Sequence, residues 1–93
     1  VLVIGAGTIG VLAAVAAKAK GGEVYIADIA EEKLQYAYKT FGLSGIVNND
    51  SEESFMRSVN QITGEHHGFD VCIEAVGLPS TFQNCIDAAA YEY

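Results

Sequence analysis

The opening ten residues, Val-Leu-Val-Ile-Gly-Ala-Gly-Thr-Ile-Gly, constrain the fold more than anything that follows them. Residues 1–4 are aliphatic and rich in β-branched side chains, with no polar alternation. That is the pattern of a strand buried on both faces, as in a parallel sheet. Glycines follow at Gly5, Gly7 and Gly10, and residues 8–20 then read as a helix carried by Ala13, Ala14, Ala16, Ala17 and Ala19.

The same punctuation continues along the chain. Gly21 and Gly22 stop the first helix. Residues 23–27 predict a second strand, ending at Asp28. Residues 30–41 predict a second helix, with Leu34, Ala37, Tyr38 and Phe41 at helical spacing, and Gly42 closes it. Ile46 and Val47 mark a short third strand. Residues 51–63 predict a third helix with Phe55, Val59 and Ile62 on one stripe; Ser51, Glu52 and Glu53 suit its start. After a turn at 64–68, residues 70–76 predict a fourth strand, and residues 80–90 a last helix behind Pro79, with Ser80 as its N-cap. Strict strand–helix alternation implies a parallel sheet with helices on its faces. The expected fold is therefore α/β, a Rossmann-like doubly wound parallel sheet cut to four strands with flanking helices, one domain over residues 1–93.

Composition excludes several classes of function. The 93 residues are 51% hydrophobic and 18% charged, which is globular rather than disordered. A net charge of −7 argues against nucleic acid, whose phosphates need clustered Lys and Arg. Lys18 and Lys20 are explained by the helix C-terminus they sit at. The apolar run at 9–17 is too short to span a bilayer. No basic n-region precedes it, so no secretory signal is read and a cytoplasmic protein is expected. Cys72 and Cys85, 13 positions apart with no Cys-x-x-Cys, read as reduced thiols, with a disulfide or metal pair as the alternative. A strand at residue 1 with no initiator Met gives the expectation of a fragment.

The chemistry lies in the glycines. Gly5-Ala6-Gly7-Thr8-Ile9-Gly10 is G-x-G-x-x-G between a strand and a helix, the context a dinucleotide site requires. Gly5 permits the tight turn, Gly7 lets backbone approach a pyrophosphate, and Gly10 lets the helix pack closely. The N–H groups of Thr8 and Ile9 would then face the phosphates, aided by about half a positive charge from the helix dipole. Asp28 ends the second strand 18 residues after Gly10, where an acceptor for ribose hydroxyls is needed. Its charge would repel a 2′-phosphate, favouring NAD over NADP. The bland alternatives are a purely structural tight turn and a solvated loop aspartate.

The segments VLVIGAGTIG, VYIADIAEEKL and FDVCIEAVG together resemble the cofactor domain of zinc-type alcohol dehydrogenases, the medium-chain dehydrogenase/reductase superfamily, nearest to its sorbitol, threonine and galactonate-type branch. The resemblance covers nearly the whole chain. It implies NAD as cofactor, held by the loop of Gly5, Ala6, Gly7, Thr8, Ile9 and Gly10, by Asp28 with Ile29 beside it, and by Lys33 at the ribose. It also implies that backbone at Ala75, Val76 and Gly77 passes the cofactor. Lys33 as a solvated helix lysine is an equal alternative. The family further implies a catalytic zinc whose ligands lie outside these residues, an alcohol or polyol substrate, a homo-oligomer, and two further strands. No catalytic residue is assigned within the chain. Competing readings are a nucleotide-sensing regulatory domain and, less well fitted, a Rossmann-like methyltransferase.

Three other features invite a role. His66 and His67 read as a solvated turn, and Cys72 as packing. Glu74, inside a strand expected to be buried, is out of place unless it faces the cofactor cleft or pairs with a group beyond this chain.

Overall fold

In a computed structural model of the chain, residues 1–90 are described. The elements run β1 (Leu2–Ile4), α1 (Thr8–Ala19), β2 (Tyr25–Asp28), α2 (Glu31–Phe41), β3 (Gly45–Asn48), α3 (Glu52–Thr63), β4 (Cys72–Glu74) and α4 (Pro79–Ala88). A single 3-10 turn, Gly64–His66, separates α3 from β4. The four strands form one parallel sheet in the order β3-β2-β1-β4. β1 is thus flanked by β2 and β4, and the chain grows outward in both directions from it.

Alternate side chains of a strand point to opposite faces, and this divides the core in two. Val3 and Ile26 face one way and pack against Ala14 of α1 and Leu34 and Ala37 of α2. Leu2, Ile4, Ala27 and Val47 face the other way, against Phe55 and Val59 of α3 and Ala88 of α4. Two helices therefore cover each face, the doubly wound arrangement. Phe55, Val59, Leu34 and Ile26 are among the largest fully buried side chains.

Several boundaries and side chains differ from expectation, each for a local reason. β4 is shorter than the predicted 70–76, although Leu2 N–H still reaches the Val71 carbonyl at 2.9 Å and Ala75 N–H the Ile4 carbonyl at 2.8 Å. Beyond Ala75 the backbone N–H groups of Val76 and Gly77 bond to the Glu74 carboxylate instead of to β1. Ser80 is not an N-cap: Leu78 occupies that position and the Thr81 hydroxyl accepts the Leu78 N–H at 3.2 Å. The last helix ends at Ala88 because the next residues pair with Phe69, whose carbonyl accepts the Ala90 N–H at 2.9 Å. Tyr38 lies off the buried stripe of α2 and is exposed, while Leu34 and Ala37 hold that face. β4 is only half-buried along its length, as one of the two outer strands among the described residues.

Candidate functional site

A parallel sheet places the carboxyl ends of all its strands along one edge, and here β1, β2 and β4 deliver their loops to the same spot. At the centre stands the glycine loop. Gly5 has φ +114°, a conformation that an L side chain rarely adopts, and its N–H is bonded to the Ala27 carbonyl at 2.7 Å. Gly10 is demanded by contact: a Cβ there would fall 1.7 Å from the Gly5 carbonyl oxygen. Gly7 is the opposite case, because a Cβ on it would meet no protein atom within 4 Å. The backbone at Gly7 faces open space.

The start of α1 is electrostatically open. α2 carries Glu31 and Glu32 in its first turn, and α3 has Glu52 and Glu53 plus a Ser51 side-chain cap. α1 has neither an acidic residue in its first turn nor a side-chain cap. Its first intrahelical bond comes from Val11 N–H to the Gly7 carbonyl, at 2.9 Å. The N–H groups of Thr8 and Ile9 precede that bond, and both residues are exposed. These two N–H groups therefore have no intrahelical acceptor. Ala6 contributes differently: its N–H is already given to Asp28.

Asp28 joins the loop to the neighbouring strand. Oδ2 accepts the Ala6 N–H at 2.8 Å and Oδ1 accepts the Ala30 N–H at 2.8 Å. The carboxylate thus ties the glycine loop to the start of α2. A carboxylate has about four acceptor positions, so two remain for further donors. The sequence marked Asp28 as a ribose acceptor; its part in holding the loop was not legible there.

Beside this pair opens a cleft of ≈ 550 Å³, within the usual range for small-molecule sites. Gly5, Asp28, Ile29, Lys33 and Val76 line it, and so do Leu78, Asn49, Ser51, Thr81 and Asn84, which sequence reasoning missed. Gly7, Thr8, Ile9, Gly10, Ala6, Ala75 and Gly77 do not line it; they build the loops alongside. Three apolar side chains left exposed, Ile29 at 73%, Val76 at 45% and Leu78 at 54%, border the cleft. Asn84 is the buried polar side chain of the core, and Asn49 Nδ2 donates to its Oδ1 at 2.9 Å. The only sequence signal for Asn84 was its place four residues before Ala88, on the inward face of α4.

Glu74 is resolved by the structure. Its Oε1 accepts from Val76 N–H at 2.7 Å, Gly77 N–H at 2.6 Å and the Thr81 hydroxyl at 2.8 Å. Those bonds, the Gly77 one foremost, hold the carboxyl below its ordinary range. Within the described residues it serves its own loop. His66 pairs with Asp70. Cys72 and Cys85 are free thiols packed on the same core cluster. Among the described residues no group of three or more His, Cys, Asp or Glu could hold a metal ion. No helix among them is long and apolar enough to cross a membrane.

Residues 8–92 match the model of a family described as zinc-binding dehydrogenase. The chain belongs to the zinc-binding dehydrogenase family. It is similar to an L-threonine 3-dehydrogenase from Aeromonas salmonicida, 40% identical over 88 residues, which are 94% of this chain and 25% of that protein. It is also 35% identical over 91 residues to a zinc-type alcohol dehydrogenase-like protein from Haemophilus influenzae, covering 98% of this chain and 26% of the relative. Among solved structures, a zinc-dependent alcohol dehydrogenase from Streptococcus pneumonia in its apo form superposes with a TM-score of 0.84 at 30% identity, over 96% of this chain and 26% of that one. The chain spans about a quarter of the length of the relatives it matches. The family resemblance and the Rossmann-like fold drawn from sequence are both upheld. The zinc of the family name finds no ligand set among the described residues.

Proposed function

We propose that this chain is the NAD(H)-binding portion of an alcohol or polyol dehydrogenase, whose substrate is a small secondary alcohol of the kind that threonine 3-dehydrogenases are named for. The observation that carries the reading is the Asp28 carboxylate, fixed between the glycine loop and the cleft with acceptor positions to spare. Gly7 backbone and the N–H groups of Thr8 and Ile9 would receive the pyrophosphate, and Asp28 with Lys33 the adenosine ribose. Ile29 and Val76 offer apolar surface to a flat base on either side of the cleft. When bound, the nicotinamide supplies the hydride acceptor. The chain's own part is to bind and orient it. The family's zinc would be held by residues other than these. The same reading makes the enzyme a cytoplasmic homo-oligomer.

The test is a calorimetric titration with NADH and, in parallel, NADPH. NADH should bind, and NADPH should bind at least about tenfold more weakly, since a carboxylate facing a 2′-phosphate costs about 1.4 kcal/mol or more. Asp28→Ala should narrow that gap. A protein that binds both dinucleotides alike, or a preference untouched by Asp28→Ala, would overturn the role given to Asp28. In the full-length protein, binding of NADH without turnover of any alcohol would favour a sensing domain instead.

A further inference from the structure

The turn that follows β4 converges on a single atom. Glu74 is the last residue of the strand, and Ala75 N–H still bonds to Ile4 of β1. The next two N–H groups, of Val76 and Gly77, both point back at Glu74 Oε1, and Gly77 takes φ +87° to allow it. The Thr81 hydroxyl, in the first turn of α4, donates to the same oxygen and receives the Leu78 N–H. Strand end, turn and helix start are therefore pinned by one carboxylate oxygen. The turn is seated on the glycine loop: Val76 Cγ2 lies 2.9 Å from where a Cβ on Gly5 would be. Val76, Leu78 and Thr81 then form one wall of the cleft.

We propose that Glu74 is a positioning residue for dinucleotide binding, which sets the wall of the cleft by folding residues 75–78 back over the glycine loop. The proposal rests on the cofactor reading above and adds to it a residue that touches no cofactor. It explains why an acid stands at the end of an apolar strand. Three donors on one anionic oxygen satisfy backbone that would otherwise turn away from the loop, and bonds to a charged acceptor are roughly twice as strong as neutral ones.

The chemistry gives an ordered variant series. Glu74→Gln keeps an acceptor oxygen at the same reach but loses the charge. Glu74→Asp keeps the charge but is one methylene too short to collect all three donors. Glu74→Ala removes the acceptor. NADH affinity measured by calorimetry should fall about threefold for Gln and about 30-fold for Asp and Ala, the size of one weakened against several lost bonds. Amide hydrogen exchange supplies the second reading. Val76 and Gly77 should lose protection in Glu74→Ala while Val3 and Ile26, in the sheet, keep theirs. Rescue by Gln and not by Asp separates positioning from a need for negative charge. NADH binding by Glu74→Ala at wild-type affinity, or unchanged protection of Val76 and Gly77, overturns the proposal. If Glu74→Ala does not fold, Thr81→Val and Glu74→Gln carry the test: a loss of about threefold in each supports it, and no loss in either overturns it. Wild-type protein that binds neither NADH nor NADPH overturns the cofactor reading alone, and the exchange comparison then decides the role of Glu74.

Discussion

Gly7→Ala and Gly10→Ala add the same methyl group to the same loop and should do opposite things. At Gly10 the added Cβ lies 1.7 Å from the Gly5 carbonyl oxygen and 2.8 Å from its carbon. Both are backbone atoms, so no rotamer change relieves the overlap, and α1 must part from the loop by about 1 Å. Alanine improves helix propensity by about 1 kcal/mol, but overpacking of this kind costs about 1–3 kcal/mol or more, so the overlap wins and the fold is weakened. At Gly7 the backbone has φ −79° and ψ −172°, open to any residue, and no protein atom lies within 4 Å of the new methyl. Reduced freedom of the unfolded chain favours Ala by about 0.4–1 kcal/mol, and loss of a good N-cap residue takes back a similar amount. Stability should therefore stay within about 0.5 kcal/mol of wild type. The methyl would nevertheless occupy the space that the proposed pyrophosphate position requires, and NADH affinity should fall by about 10- to 100-fold, about 1.4–2.8 kcal/mol. Thermal unfolding followed by circular dichroism, with NADH titration of each variant, reads both quantities. Gly7→Ala with wild-type NADH affinity would refute the pyrophosphate assignment. Gly10→Ala as stable as wild type would refute the packing argument.

Other outcomes follow from the packing and the ionisable groups. Phe55, fully buried between α3 and the sheet, should cost about 3–5 kcal/mol as Ala, seen as a lower midpoint in urea unfolding. Ser51→Ala removes the acceptor that caps Ser54 N–H at 3.1 Å and should cost about 1 kcal/mol in the same assay. Burial, with the Cys85 thiol second, pushes the Cys72 thiol from 9.0 up to about 12. Its protonated form is thus the one the fold prefers. That contribution to stability is whole below pH 9 and is lost as pH rises toward 12. Iodoacetamide at pH 8 should accordingly leave Cys72 unmodified in folded protein and label it after unfolding, as mass spectrometry would show; rapid labelling of the folded form would contradict its burial.

The residues that fix local conformation were legible in the sequence. The order of eight strands and helices follows from apolar period and glycine punctuation, both of which act within a few residues. Gly5, Gly7 and Gly10 could be given distinct tasks for the same reason, and Asp28 stood out because a strand end is a position countable along the chain. What the sequence could not supply is who receives each hydrogen bond. Asp28 reaches Ala6 across 22 residues and Asn49 reaches Asn84 across 35, distances that only the stacking of β1, β2 and α4 closes. Glu74 looked anomalous because the period of its strand predicted burial, whereas the folded chain bends two N–H groups and a hydroxyl onto it. Ser80 is not the N-cap because α4 begins at Pro79, with Leu78 as its N-cap and the Thr81 hydroxyl bonded both to Leu78 N–H and to Glu74. The cleft itself has no sequence signature. Its walls come from the ends of β1, β2 and β4 and the starts of three helices, and it exists only because a parallel sheet brings those ends to one edge.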